Sequence, residues 1–178
     1  MIRITSNTLG VQDRDLIKKF CYFALKVLVP KGKKHLISKT DILIKFSKPG
    51  KEIEGETSVI GPKARAWCRY EGTKNGRKKF IVVISESYIN KRAKKDYYRL
   101  KGVFLYLAHE LTHAKQYMTG ELYDYADGGV RWRKERLEYN QDDWYEYYDS
   151  PWEIEAFGRE WGLFKLFKIE LLKERKGK

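Results

Sequence analysis

The stretch AHELTHAKQYMTG, Ala108 to Gly120, carries two of the chain's three histidines, His109 and His113, four residues apart, with Glu110 directly after the first. Residues four apart are neighbours on a helix, so both imidazoles can reach one ion. Zinc suits such a pair: it takes imidazole nitrogen at about 2.0–2.1 Å and favours four ligands. Glu110 is turned by about 100° from His109 on a helical wheel. That puts it beside the pair, where it can accept a proton from water without ligating an ion. Leu100, Val103, Phe104, Leu107, Leu111, Ala114 and Met118 fall on a different face of the same wheel, at roughly 120–220° from His109. The histidines therefore project away from the core stripe and can line a cleft.

Catalytic zinc sites use three protein ligands and leave one position to water. His35 lies in the Lys-rich run PKGKKH, where the local field opposes a cation, so a carboxylate is the better third ligand. Glu153 and Glu155 sit in SPWEIEAFGREW. Phe157, Trp161, Phe164, Phe167 and Leu171 lie within about 80° of Glu153, and Glu155 lies near 200°, with Arg159 and Lys173. Glu153 is thus expected on the inward face and Glu155 in water. An inward carboxylate needs a compensating partner, and a metal ion supplies one. Ala156 is small enough to let this helix approach the histidine helix. Ser150-Pro151-Trp152-Glu153 also reads as a capping box, with Ser150 as cap and Glu153 reaching back to its amide. The two readings differ in whether Glu153 points to the histidines or backward along its helix.

HELTH fits HExxH, a pattern of zinc metallopeptidases. Followed by Glu153-Ile154-Glu155-Ala156, it resembles the gluzincins, in which a later E-x-x-A helix supplies a glutamate ligand. The order of helix, small sheet, motif helix and ligand-bearing helix is similar to compact SprT-like domains, and PWEIEA resembles phage-encoded metallopeptidases. The chain departs from SprT-type proteases in having neither a third histidine ligand nor a cysteine-rich zinc ribbon. The resemblance implies a zinc metalloendopeptidase acting on protein or peptide, with Zn²⁺ on His109, His113 and Glu153 and Glu110 as general base. Gluzincins commonly add a Tyr or His that stabilises the oxyanion, and Tyr117, Tyr145, Tyr147 and Tyr148 are the candidates here.

The elements that must position these groups can be read in outline. Asp13–Leu28 is expected as a helix from Leu16, Phe20, Phe23 and Val27, with Pro30 beyond its end. ILIKF (42–46), ARAWCRY (64–70) and FIVVIS (80–85) are expected strands, the last two a hairpin turning at Asn75–Gly76. Tyr97–Met118 is the histidine helix, closed by Gly120. The Tyr- and Trp-rich segment to Asp149 shows no period and is expected as a cleft wall or a satellite aromatic cluster. A last helix runs from Pro151 to about Lys173. The fold class is therefore α+β, one zincin-like domain over residues 1–178 with a small mixed or antiparallel sheet. Either FIVVIS or ARAWCRY could offer a sheet edge to an extended substrate.

Charge divides the chain. Residues 1–105 carry 25 Lys/Arg against 9 Asp/Glu, and residues 106–178 carry 12 against 15. The basic half suits a polyanion, so the alternative function is nucleic-acid binding with a structural or absent metal, or a protease recruited to DNA. Lys74, Arg77, Lys78, Lys79, Lys91, Arg92, Lys94 and Lys95 are the candidate phosphate contacts. Two cysteines, Cys21 and Cys68, make no disulfide framework or zinc knuckle. With no signal-peptide pattern or bilayer-length apolar run, the expected setting is the cytoplasm, in a cellular or phage-encoded protein.

Overall fold

The computed structural model describes residues 1–48, 66–89, 93, 95–138, 140 and 143–176. Lys91, Arg92, Lys94, residues 51–59 and the first two residues of ARAWCRY lie outside these. Helix α1 spans Val11–Leu28 and buries Ile17, Phe20, Cys21, Ala24, Leu25 and Leu28. The buried stripe is rotated from the expected one, and Val27 is 42% exposed. A short strand at the N-terminus, β1 (Ile2–Thr5), had no sequence signal; it is four residues long, too short to show a period. It lies parallel to β2 (Thr40–Ser47). Between α1 and β2 comes the four-residue helix α2 (His35–Ser38), where His35 is exposed.

Strands β3 (Ala66–Lys74) and β4 (Arg77–Ser85) form the expected antiparallel hairpin, turning through Asn75 at φ 53° and Gly76 at φ 69°. The sheet order is β1-β2-β4-β3. β4 pairs on both sides, which explains its unbroken apolar run: Phe80, Val82, Val83 and Ile84 are all buried. FIVVIS is therefore an interior strand, and of the two edges of this sheet among the described residues β3 is the one near the histidines.

The expected continuous helix from Tyr97 is two helices, α3 (Asp96–Arg99) and α4 (Lys101–Thr119), with a break at Leu100. Leu100 drops fully into the core, and Arg99 pairs with Asp13 of α1. Gly120 closes α4 at φ 75°, with the Glu121 amide donating to the Gln116 carbonyl and the Gly120 amide to that of Tyr117, a Schellman ending. The aperiodic segment then forms a second, three-stranded sheet of β5 (Leu122–Asp124), β6 (Val130–Trp132) and β7 (Glu135–Leu137). Helix α5 (Trp144–Asp149), capped by the Asp143 side chain, leads into α6 (Pro151–Lys176). The described residues thus form an α+β fold of six helices and two small sheets.

α4 lies between α1, α6 and the inner face of the larger sheet. Phe20, Phe104 and Phe167, one from each of these helices, meet with ring centroids 4.8–5.6 Å apart. Every member of the apolar stripe expected on α4 is buried.

Candidate metal centre

Two helices position the chemistry. α4 carries His109, Glu110 and His113 on the face opposite its deepest core contacts, and α6 brings Glu153 on its first turn. Fully buried Ala156 lies one turn further on, in the helix that packs along α4. The Glu153 carboxylate reaches both imidazoles: Oε2 lies 3.1 Å from His109 Nε2 and Oε1 lies 3.2 Å from His113 Nε2. The two Nε2 atoms are 3.1 Å apart. The capping-box alternative is not formed. Ser150 Oγ donates instead to the Tyr147 carbonyl at 2.8 Å, and Glu153 points inward.

The outer hydrogen bonds fix which imidazole nitrogen carries the proton. His109 Nδ1 faces Glu160 Oε1 at 3.0 Å, and a carboxylate can only accept. His113 Nδ1 faces Gln116 Oε1 at 3.0 Å. The Gln116 amide cannot be reversed without loss, because its nitrogen donates to the Trp152 carbonyl at 3.0 Å and to Glu155 Oε2 at 3.1 Å. In both neutral rings the proton thus sits on Nδ1, and the Nε2 lone pairs converge with a carboxylate. Glu153 Oε2 is buried and lies against His109 Nε2 at 3.1 Å. With both rings neutral, the three converging electron pairs have no donor between them and suit a cation. A tetrahedral ion about 2.0–2.1 Å from each donor holds its ligands about 3.3 Å apart, close to the spacings here. Nitrogen and oxygen donors of this kind, with both histidines anchored through their far nitrogen, fit zinc.

Glu160 and Gln116 were not among the sequence candidates. Glu160 has a readable signal, since it lies seven residues after Glu153 and so returns to the same helix face. Gln116, three residues after His113, is likewise a helical neighbour. Glu155 is a correction. It does not face water but pairs with buried Lys115 at 2.9 Å, and Lys115 also holds Glu121 at 2.7 Å. The wheel placed it correctly away from Glu153, but α4 packs along that side of α6 as well.

The triangle opens into a cleft of about 720 Å³. Its walls are the β3 edge at Ala66, Trp67 and Cys68, the β5–β6 ribbon at Leu122, Asp124 and Val130, and Tyr117, Tyr147 and Trp152. The Tyr- and Trp-rich segment is therefore both cleft wall and satellite core, for Leu122, Val130, Trp132 and Trp152 form their own buried cluster. Of the four tyrosine candidates, Tyr117 and Tyr147 line the cleft, while Tyr145 is 80% and Tyr148 54% exposed and neither lines it. The Tyr117 hydroxyl donates to Asp124 Oδ2 at 2.6 Å, and burial with that bond raises its pKa.

Burial lifts the Glu110 carboxyl above its ordinary range, with the neighbouring histidines pulling the other way. Burial also raises Glu153, but the two imidazoles outweigh it and bring the ion-free carboxyl down to about 2. For His109 burial disfavours the charged form, and Glu153 and Glu160 overcome this, raising its pKa to about 10. Burial raises the thiols of Cys21 and Cys68, so both are protonated.

The basic candidates among the described residues do not form one free surface. Arg77 is bound by Asp41 through two contacts of 2.8 Å. Lys78 caps the end of α4, donating to the carbonyls of Tyr117 and Met118. Lys74 and Lys95 are exposed and Lys79 is half-buried. No described helix is long and apolar enough to cross a membrane. Comparison with family models, curated proteins and solved structures returned no match.

Proposed function

We propose that the chain is a zinc-dependent endopeptidase. One observation carries this reading: His109 Nε2, His113 Nε2 and Glu153 converge within 3.1–3.2 Å of one another while Glu160 and Gln116 accept hydrogen bonds from the two Nδ1–H groups. His109, His113 and Glu153 would hold Zn²⁺, which when bound polarises a scissile carbonyl and acidifies water. Glu110 lies in the same cleft beside that triangle. With its pKa raised by burial, its carboxylate is suited to take the proton of the attacking water and pass it to the leaving amine. The β3 edge along the cleft suits an extended peptide, which would add as a strand and place its carbonyls over the triangle. Tyr117 and Tyr147 both line the cleft and are the oxyanion candidates, the Tyr117 hydroxyl donating to Asp124.

The test is metal content and peptide hydrolysis on the same preparations. Wild-type protein should hold about one zinc per chain, and His109→Ala should lose it. Glu110→Gln should keep the zinc and lose hydrolysis by at least a hundredfold, in line with the usual share of general-base catalysis. Wild-type protein that takes up no zinc, or a Glu110→Gln protein that still cuts, removes the reading.

A further inference from the structure

The cleft differs in charge from the rest of the molecule. The chain carries 37 Lys/Arg, yet among the described residues none of these lines the cleft, which holds the carboxylates of Glu110, Asp124 and Glu153. Glu110 and Glu153 belong to the chemistry already assigned. Asp124 does not. It lies on β5, where side chains alternate between faces. Leu122 and Asp124 pair with Trp132 and Val130 and share the cleft face, whereas Tyr123 and its partner Arg131 point to the other face. The Arg131 guanidinium lies over the Tyr123 ring on that other face. Arg136 is spent on Asp127 at 2.7 Å. Asp124 Oδ2 is fixed by the Tyr117 hydroxyl, and Oδ1 takes part in no hydrogen bond or ion pair among the described residues. The side chain is exposed.

We infer that Asp124 is a specificity-determining residue that selects a Lys or Arg side chain in the bound peptide. This rests on the endopeptidase reading. Tyr117 holds the carboxylate in one orientation, so little side-chain entropy remains to be lost when a cation binds. A substrate that covers the cleft also removes water from the pair and strengthens it. A glutamate side chain at the same subsite meets an uncompensated negative charge and is rejected.

The experiment uses zinc-loaded protein and a set of fluorogenic peptides that differ only in having Lys, Arg, Leu or Glu at each position flanking the cut. At one position wild type should prefer Lys and Arg over Leu, with Glu poorest. Asp124→Asn keeps an acceptor for Tyr117 and should lower the Lys-to-Leu ratio of kcat/KM about tenfold, the loss of one charge-assisted hydrogen bond. Asp124→Lys should shift the preference toward Glu. Zinc-loaded Glu110→Gln, titrated with the same peptides by fluorescence anisotropy, should show the same order in Kd, a readout that needs no turnover. Zinc-binding, peptide-cutting protein indifferent to charge at every position overturns this inference alone. So does an Asp124→Asn protein that keeps the wild-type Lys-to-Leu ratio. Protein that binds no zinc and cuts no peptide overturns the endopeptidase reading and this inference with it.

Discussion

Glu160 and Gln116 show how much of the proposed metal site lies outside its ligands. Each accepts a hydrogen bond from the Nδ1–H of a histidine and so holds an Nε2 lone pair toward Glu153. Removing the acceptor frees the ring to turn and lowers its basicity. Glu160→Leu should weaken zinc binding by about 10–100-fold, whereas Glu160→Gln, which keeps an acceptor oxygen, should lose much less. Competition against a chelator of known affinity measures both. The same residues set the pH response. Raised to about 10 from an ordinary 6.5, His109 stabilises the ion-free fold fully below about pH 6.5. That contribution is lost as pH rises through about 10. Glu153, lowered to about 2 from 4.5, contributes above about pH 4.5, and its share is lost as pH falls through 2. The ion-free cluster is therefore most stabilising between about pH 4.5 and 6.5. Zinc needs the neutral imidazole and binds more tightly as pH rises. The difference in Tm between zinc-loaded and chelator-treated protein should widen steadily from pH 6 to pH 8. A constant or narrowing difference would mean that these imidazoles do not exchange protons for metal.

At the scale of elements, the site depends on how closely α6 approaches α4. Ala156 is fully buried at this crossing, and Phe157 beside it lies edge-on to the His109 ring at 4.5 Å. Ala156→Leu should force the helices apart at a cost of about 1–3 kcal/mol. It should also move Glu153 away from the histidines, so zinc affinity should fall as well. Glu121→Ala should weaken the fold through Lys115 and Thr119 yet leave Gln116 and Glu153 in place, so the pair separates a spacing effect from general destabilisation. Denaturant unfolding and chelator competition on both variants give the comparison. The long elements were legible in the sequence because each shows several periods of its pattern: α1, α4, α6, β2 and the β3–β4 hairpin were all placed. The short ones were not. β5, β6 and β7 have three residues each, and alternation over three residues is indistinguishable from chance. The β6–β7 turn uses Arg133 and Lys134 at φ 47° and 82°, where a sequence reader looks for Asn-Gly. Packing compensates, with Arg133 lying over the Trp132 ring at 4.9 Å. The nearness of His109 and His113 was legible because helical spacing imposes it, and the inward placement of Glu153 because it lies on the apolar face of α6. The surroundings of these three were not, because the partners of Glu155 and Asp124 are set by tertiary contacts.

Across the whole molecule, the division of charge between the two halves of the chain does not correspond to a division of structure. The main core draws on Ile2, Ile17, Phe20, Ile44 and Phe80 from the basic half and on Leu107, Leu111, Phe164 and Phe167 from the acidic half. Phe104, at the end of the basic half, touches Phe20, Phe164 and Phe167. Part of the positive charge is also spent inside the fold, with Arg77 on Asp41 and Lys78 on the end of α4. A nucleic-acid surface on this half would rest on residues such as Lys74, Lys79 and Lys95 rather than on the whole basic run. A core shared in this way leaves neither half able to keep its apolar surface covered alone. Unfolding should then be one transition, with far-UV circular dichroism, which follows the helices, and tryptophan fluorescence, to which buried Trp132 and Trp152 of the smaller cluster contribute, giving the same midpoint. Phe104→Ala should lower stability by about 3–5 kcal/mol and move both midpoints together. Zinc added to this variant should raise both by equal amounts, because ligands from α4 and α6 bind the ion only when the shared core is intact. Two separated midpoints, with zinc raising only one, would show that the metal-site half folds independently of the basic half.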